Sequence, residues 1–219
     1  MMNREQMDAC AQQAIRSDIN GEGVVSCFDR EQPALRVSAD FFAGEKKQAV
    51  YHSRDEIADP VSRLQWDLYE SYPDISCMAV VRSFYVLLWA TMGRAIPPLN
   101  ALHAEHFYGE IPCTERDPMP FSDYEAWQLD LILRTVGHKD LSKVGAVLLR
   151  SFGALVFAED PEQLSERVRT LEDVARVSWE LMLKEPRFPY LDYTLLNEYH
   201  YLRNGGERWM EEIPREEQA

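Results

Sequence analysis

Along this 219-residue chain the spacing of apolar residues switches between strand-like and helix-like periods, with no long break between them. Gly23-Val-Val-Ser-Cys-Phe28 and Ala34–Val37 read as short strands around the turn Asp29–Pro33, and Gln48–His52 reads as another. Val61–Glu70 predicts a helix with Leu64, Leu68 and Tyr69 facing a core, ended by Tyr72-Pro73. Cys77–Arg82 is a β-branched strand, and Tyr85–Met92 an apolar helix stopped by Gly93 before the loop Ile96-Pro97-Pro98. Ser122 and Glu125 form a capping box for a helix to Val136, with Gly137 as its stop. Strands are expected at Val144–Leu149 and Ala154–Phe157. Asp160-Pro161-Glu162-Gln163 then opens the longest helix, whose stripe of Leu164, Val168, Leu171, Ala175 and Met182 is read as core. Residues 4–19 and Leu195–Arg203 complete the set as a first and a last helix. Strands alternating with helices imply a mixed α/β layer fold.

No repeat, low-complexity run or linker divides the chain, so residues 1–219 are expected to form a single domain, with 205–219 as an acidic tail. A content of 46% hydrophobic and 27% charged residues suffices for a packed core. The net charge of -14 opposes nucleic-acid binding, which needs clustered Lys and Arg. The first 18 residues lack an apolar signal core, and the longest apolar stretch, Val86–Met92, is too short to span a membrane. Cys10, Cys27, Cys77 and Cys113 are widely spaced without a CxxC pair, which favours thiols in a reducing compartment over a disulfide framework. A cytoplasmic protein is expected.

Four segments, in order, carry a resemblance. They are Gly23–Arg30; Asp67-Leu-Tyr to Pro73-Asp-Ile75, continuing through Met78–Arg82 to Trp89-Ala90; His103-Ala-Glu-His-Phe-Tyr-Gly-Glu-Ile-Pro-Cys-Thr114; and Val147–Gly153 with Leu171–Ala175 and Leu195–Arg203. The third is the most specific, being long and unusual in composition. Together they resemble the class II aldolase/adducin superfamily, on the branch of bacterial L-ribulose-5-phosphate 4-epimerase. The resemblance implies a three-layer α/β/α fold with a central, largely antiparallel sheet. It also implies a C4 homotetramer with active sites at subunit interfaces, which the C-terminal segment of a neighbour would reach.

Enzymes of this family hold a divalent metal with a His-x-His pair on one strand and a later His in a turn. Residues i and i+2 of a strand share a face, so two imidazoles can converge on one ion. The resemblance places Val80 and Arg82 at the pair, Phe152 at the third position, and Val61 near an acidic ligand or base. Valine and phenylalanine cannot ligate and arginine offers only donors, so no metal and no other cofactor is expected. The family's phosphate cradle falls on Val24, Ser38–Phe41 and Asp59-Pro60, a poor nest for a phosphate.

What remains is a set of side chains able to do chemistry. Arg82 would put a guanidinium where the metal sits, able to hold an enolate or carboxylate oxygen by charge-assisted hydrogen bonds. Glu105 stands at the epimerases' catalytic Asp, and His200 and Arg203 match their C-terminal His and Arg. Glu105 and His200 are thus candidate proton carriers beside Arg82 as candidate electrophile. His103, Tyr108, Arg150 and Arg203 are candidates for substrate binding. Each has a plainer reading: Arg82 and Glu105 as halves of structural ion pairs, His200 as a packed interface histidine, His103 and Tyr108 as structural, Arg150 as architectural. His52, His106 and His138 have no partners at ligand spacing and are read as background. Two functions follow. One is a metal-independent lyase or isomerase (aldol, epimerisation, dehydration or decarboxylation chemistry) on a small unphosphorylated carbonyl or carboxylate compound, a specialised biosynthetic pathway being a natural setting. The other is a non-catalytic binding or scaffolding protein, like the adducin head.

Overall fold

The computed structural model describes residues 23–40, 46–115, 124–137, 140–185, 187 and 190–205. The expected helix at 4–19, the capping-box Ser122 and the acidic tail lie outside the described residues.

Strands β1 (Gly23–Asp29), β2 (Ala34–Asp40), β3 (Lys46–Tyr51), β4 (Cys77–Val81), β5 (Ala146–Leu149) and β6 (Gly153–Ala158) form one sheet in the order β3-β2-β1-β4-β6-β5. Every neighbouring pair is antiparallel. The first hairpin turns where the sequence places it. Asp29 Oδ1 accepts from the amides of Glu31 and Gln32 at 3.0 and 3.1 Å, an Asx-type turn.

Helices α1 (Pro60–Ser71) and α4 (Tyr124–Val136) cover one face of the sheet, while α2 (Phe84–Met92) and α6 (Pro161–Lys184) cover the other. Alternation along β4 sorts the two cores. Cys77, Ala79 and Val81 pack with Trp89, Leu164, Val168 and Leu171; Met78 and Val80 pack with Leu64, Leu68, Tyr69 and Ile132. All five β4 residues are buried, because a central strand covered on both faces needs no polar side.

The caps follow local chemistry. Asp59 accepts from Ser62 N at 2.8 Å ahead of α1, and Asp160 from Gln163 N at 2.8 Å ahead of α6, with proline next in each. Gly93, at φ 64°, ends α2 in the left-handed region that a Cβ would penalise. Arg30 donates to the carbonyls of Tyr69, Tyr72 and Ile75 at 2.8, 3.0 and 3.0 Å, tying the first hairpin to the end of α1.

Two helices differ from expectation. Both α3 (Ala101–His106) and α5 (Leu141–Val144) are too short to show a helical period in the sequence, and are marked only by the caps Asn100 and Asp140. Val144, expected in a strand, instead ends α5; Gly145 turns at φ 73° and β5 starts one residue later. The last helix, α7 (Tyr193–Asn204), lies against α3.

Candidate functional site

Candidate side chains collect at the two ends of the sheet. The first group stands where β4 ends and β6 begins. Arg82, half-buried, follows β4 directly; its Nε donates to the Phe152 carbonyl at 3.2 Å and its guanidinium lies 5.3 Å from the Phe152 ring centroid. The β5–β6 turn that presents Phe152 is closed by Phe152 N to Leu149 O at 3.0 Å, with Ser151 at φ 56° in the position where such turns favour glycine. Gly153 is the other requirement of this corner. At φ 148°, an added Cβ would lie 2.5 Å from the Val81 carbonyl oxygen and 3.0 Å from Arg82 Cγ.

Arg82 and Phe152 therefore meet, with Val80, on β4, two residues before Arg82. Val80 is 4% exposed within the apolar cluster against which Phe152 also packs. Two hydrocarbon side chains and a guanidinium present no lone pair to a cation, so these three do not fit a divalent metal. Arg150 sits behind them. Its amide donates to Thr114 Oγ1 at 3.0 Å, its Nη1 to the Glu115 carbonyl at 3.2 Å, and its guanidinium fills the space beside the bare Cα of Gly93.

The second group is built by α3 and α7, with α6 alongside. Arg203 reaches both Glu166, in direct contact, and Glu105, at 3.9 Å. Asn204 Nδ2 donates to the carbonyls of Glu105 and His200 at 2.9 and 2.8 Å, stitching the two helices together. His200 is 3% exposed, and its Nδ1 lies 3.1 Å from the Ala104 carbonyl. A carbonyl only accepts, so Nδ1 carries the hydrogen and Nε2 the lone pair. Burial first, and then nearby Arg167 and Lys143, hold the His200 pKa below the usual imidazole value, while the bond to Ala104 opposes them. The Tyr108 ring lies 4.9 Å from the His200 ring, and its hydroxyl donates to Asn197 Oδ1 at 2.6 Å. His103 points elsewhere: 1% exposed, it donates from Nε2 to the Gly109 carbonyl at 2.8 Å, and burial lowers its pKa to about 4. That is a histidine supporting a turn.

His106, read as background, belongs to this end. It is 6% exposed, and burial, then Arg203, lower its pKa to about 4. It lines a polar cavity of about 360 Å³ with Glu105, Glu166, Arg167, Arg203 and Asn204. The missed signal is Asn100: once it is taken as an N-cap, His103 and His106 fall three apart on one helix.

Glu105, Tyr108, His200 and Arg203 are thus brought together, and Arg82 with Arg150 is not among them. Arg82 touches Gly153 at the start of β6, whereas the cavity at Glu105 is also lined by Asp160, just beyond its end. The six residues of β6, roughly 17 Å of strand at ~3.4 Å per residue, run between the two groups.

Residues 18–179 match the model of the class II aldolase and adducin N-terminal domain. The chain belongs to that family. Solved structures agree on the fold. An L-fuculose 1-phosphate aldolase superposes with a TM-score of 0.67 at 14% identity, over 89% of this chain and 92% of that one. YgbL from Klebsiella pneumoniae, described as a candidate aldolase/epimerase/decarboxylase, gives 0.64 at 16%, over 91% and 100%. The L-fuculose-1-phosphate aldolase of Thermus thermophilus gives 0.60 at 16%, over 86% and 100%. Identities this low speak for the fold alone. Family membership supports aldolase-like, lyase-type chemistry, and among the described residues no helix is long and apolar enough to cross a membrane.

Proposed function

We propose that this chain is a metal-independent lyase- or isomerase-type enzyme acting on a small unphosphorylated carbonyl or carboxylate compound. The observation that carries the reading is the corner of Val80, Arg82 and Phe152, where a guanidinium stands in the position that the resemblance gives to a Lewis acid. Arg82 would hold the oxygen that gains negative charge as a C–H or C–C bond beside the carbonyl breaks. Asp59 supports an unphosphorylated substrate. Its carboxylate already caps α1, so the positive helix end that could attract a phosphate faces an anion of the chain itself.

Proton transfer falls to Glu105 or His200, which lie a strand length away from Arg82 in the same chain. A small substrate cannot touch both, so the site would be completed between two copies, as in the homotetramer that the resemblance implies. Arg82 would come from one copy, and Glu105, His200, Tyr108 and Arg203 from its neighbour, with no other cofactor and no nucleic-acid or membrane partner. A non-catalytic scaffold is the second reading, favoured by the Glu105–Arg203–Glu166 cluster, which also serves as a helix clamp.

A panel of unphosphorylated hydroxy-carbonyl compounds and hydroxy acids, screened for turnover and for thermal stabilisation, decides between them. Arg82→Ala should reduce turnover of any hit at least about a hundredfold at unchanged melting temperature, the scale of losing one oxyanion donor. Loss of stability with activity retained assigns Arg82 to the frame, and a hit unaffected by either Arg82→Ala or Glu105→Gln places the chemistry elsewhere.

A further inference from the structure

Two cysteines fifty positions apart meet inside the sheet. Cys27 on β1 stands directly opposite Cys77 on β4, and the Cys77 thiol donates to Cys27 Sγ at 3.1 Å. Phe28 N donates to Ser76 O at 2.9 Å, and those two residues face one another one step further along the same ladder. Hydrogen-bonded and non-hydrogen-bonded pairs alternate in an antiparallel ladder, so Cys27 and Cys77 occupy a non-hydrogen-bonded pair. Their Cα atoms are then about 4.5 Å apart, within the span that a disulfide bridges. The sulfurs need approach by only about 1 Å to reach bonding distance.

Burial alone would protect such a pair, Cys27 being 3% exposed and Cys77 0%. Both nevertheless line a cavity of about 360 Å³, together with Phe28, Arg30, Arg36 and Glu159. That cavity brings a molecule as small as hydrogen peroxide up to these two residues.

We infer that Cys27 and Cys77 are a modification site, a dithiol that a hydroperoxide converts reversibly to an intramolecular disulfide. The first sulfur, as thiolate, attacks a peroxide oxygen. The O–O bond breaks, one water leaves after taking a proton, and a sulfenic acid remains. The second sulfur attacks the sulfenic sulfur, the S–O bond breaks, and the oxygen departs as a second water carrying the second thiol's proton. Two thiols are oxidised by two electrons and one peroxide is reduced to two waters; a small dithiol reverses the change by exchange. The bond would staple β1 to β4, the strand that leads into Arg82.

The test uses the intact chain, folded and fully reduced. It is exposed to a slight excess of hydrogen peroxide, quenched in acid, alkylated in denaturant and digested with trypsin. The expected product lacks two hydrogens and joins the peptides spanning 17–30 and 64–82, while Cys10 and Cys113 remain alkylated and dithiothreitol releases the link. Oxidation should also raise the unfolding temperature by roughly 5–10 °C, as closing a long loop does. This rise should vanish in Cys27→Ala and persist in Cys113→Ala. Recovery of Cys27 and Cys77 both alkylated after methionines have oxidised would overturn the inference. So would either sulfur ending as a lone sulfinic acid or bonded to Cys10 or Cys113. The mass map on the unmodified chain decides even if Cys27→Ala does not fold.

Discussion

Acid should destabilise this protein through the two histidines of α3. His103 and His106 are 1% and 6% exposed, and each has its pKa lowered to about 4. Burial is the main cause for both; at His106 the Arg203 cation adds to it, and Glu166 partly offsets it. The unfolded chain takes up protons near pH 6.5, well before the folded one does. Stability from these groups is therefore fully present above about pH 6.5 and is lost as the pH falls toward about 4. For one such group, linkage gives a loss of about 2 kcal/mol between about pH 7 and pH 5. His103→Gln isolates it, since a glutamine keeps an N–H for the Gly109 carbonyl and does not titrate. Urea unfolding at the two pH values, at fixed protein concentration because assembly shifts apparent stability, should show the unmodified chain losing about 2 kcal/mol more than the variant. Carboxylates that titrate in the same window act on both chains and cancel. Equal losses would refute the reasoning, because the folded state would then accept a proton at His103 as readily as the unfolded one.

Asp59→Ala removes the cap on Ser62 N and should cost about 1 kcal/mol, read from the urea midpoint. Gly153→Ala should cost about 3 kcal/mol or more, since its φ of 148° is strained for alanine and the new Cβ meets the Val81 carbonyl; a neutral result in thermal unfolding would mean that the β4–β6 corner yields. Light scattering should give a particle of roughly four times 25.4 kDa, and a stable monomer at micromolar concentration would leave Arg82 and Glu105 unable to share a substrate.

Much of the fold is written in local signals. The Asp59-Pro60 and Asp160-Pro161 pairs mark helix starts, the stripe from Leu164 to Ala175 marks the face of α6, and Gly93 and Gly137 mark stops. What escaped the sequence is short or non-local. Helix α3 has six residues, too few for a period, so His106 looked isolated when it lies beside Arg203. Helix α2 follows Ser83, whose side chain makes no cap bond to the helix; its first turn is held by the Glu172 carboxylate, accepting from Ser83 Oγ and from Tyr85 N at 3.4 Å. No spacing rule links residues 83 and 172, nor 27 and 77. The candidate site residues were named by resemblance rather than by periodicity. The structure adds that Arg82 lies by the start of β6 and the cavity at Glu105 beyond its end, which separates the proposed oxyanion holder from the proposed proton carriers within one chain.

The proposed chemistry requires Arg82 to stand in for a metal, and metal content tests that most directly. Elemental analysis of protein purified without chelator should find no stoichiometric zinc, manganese, iron or cobalt, and exhaustive chelation should leave the unfolding temperature and any turnover unchanged. About one equivalent of metal per chain, retained through dialysis and lost together with activity on chelation, would contradict the account.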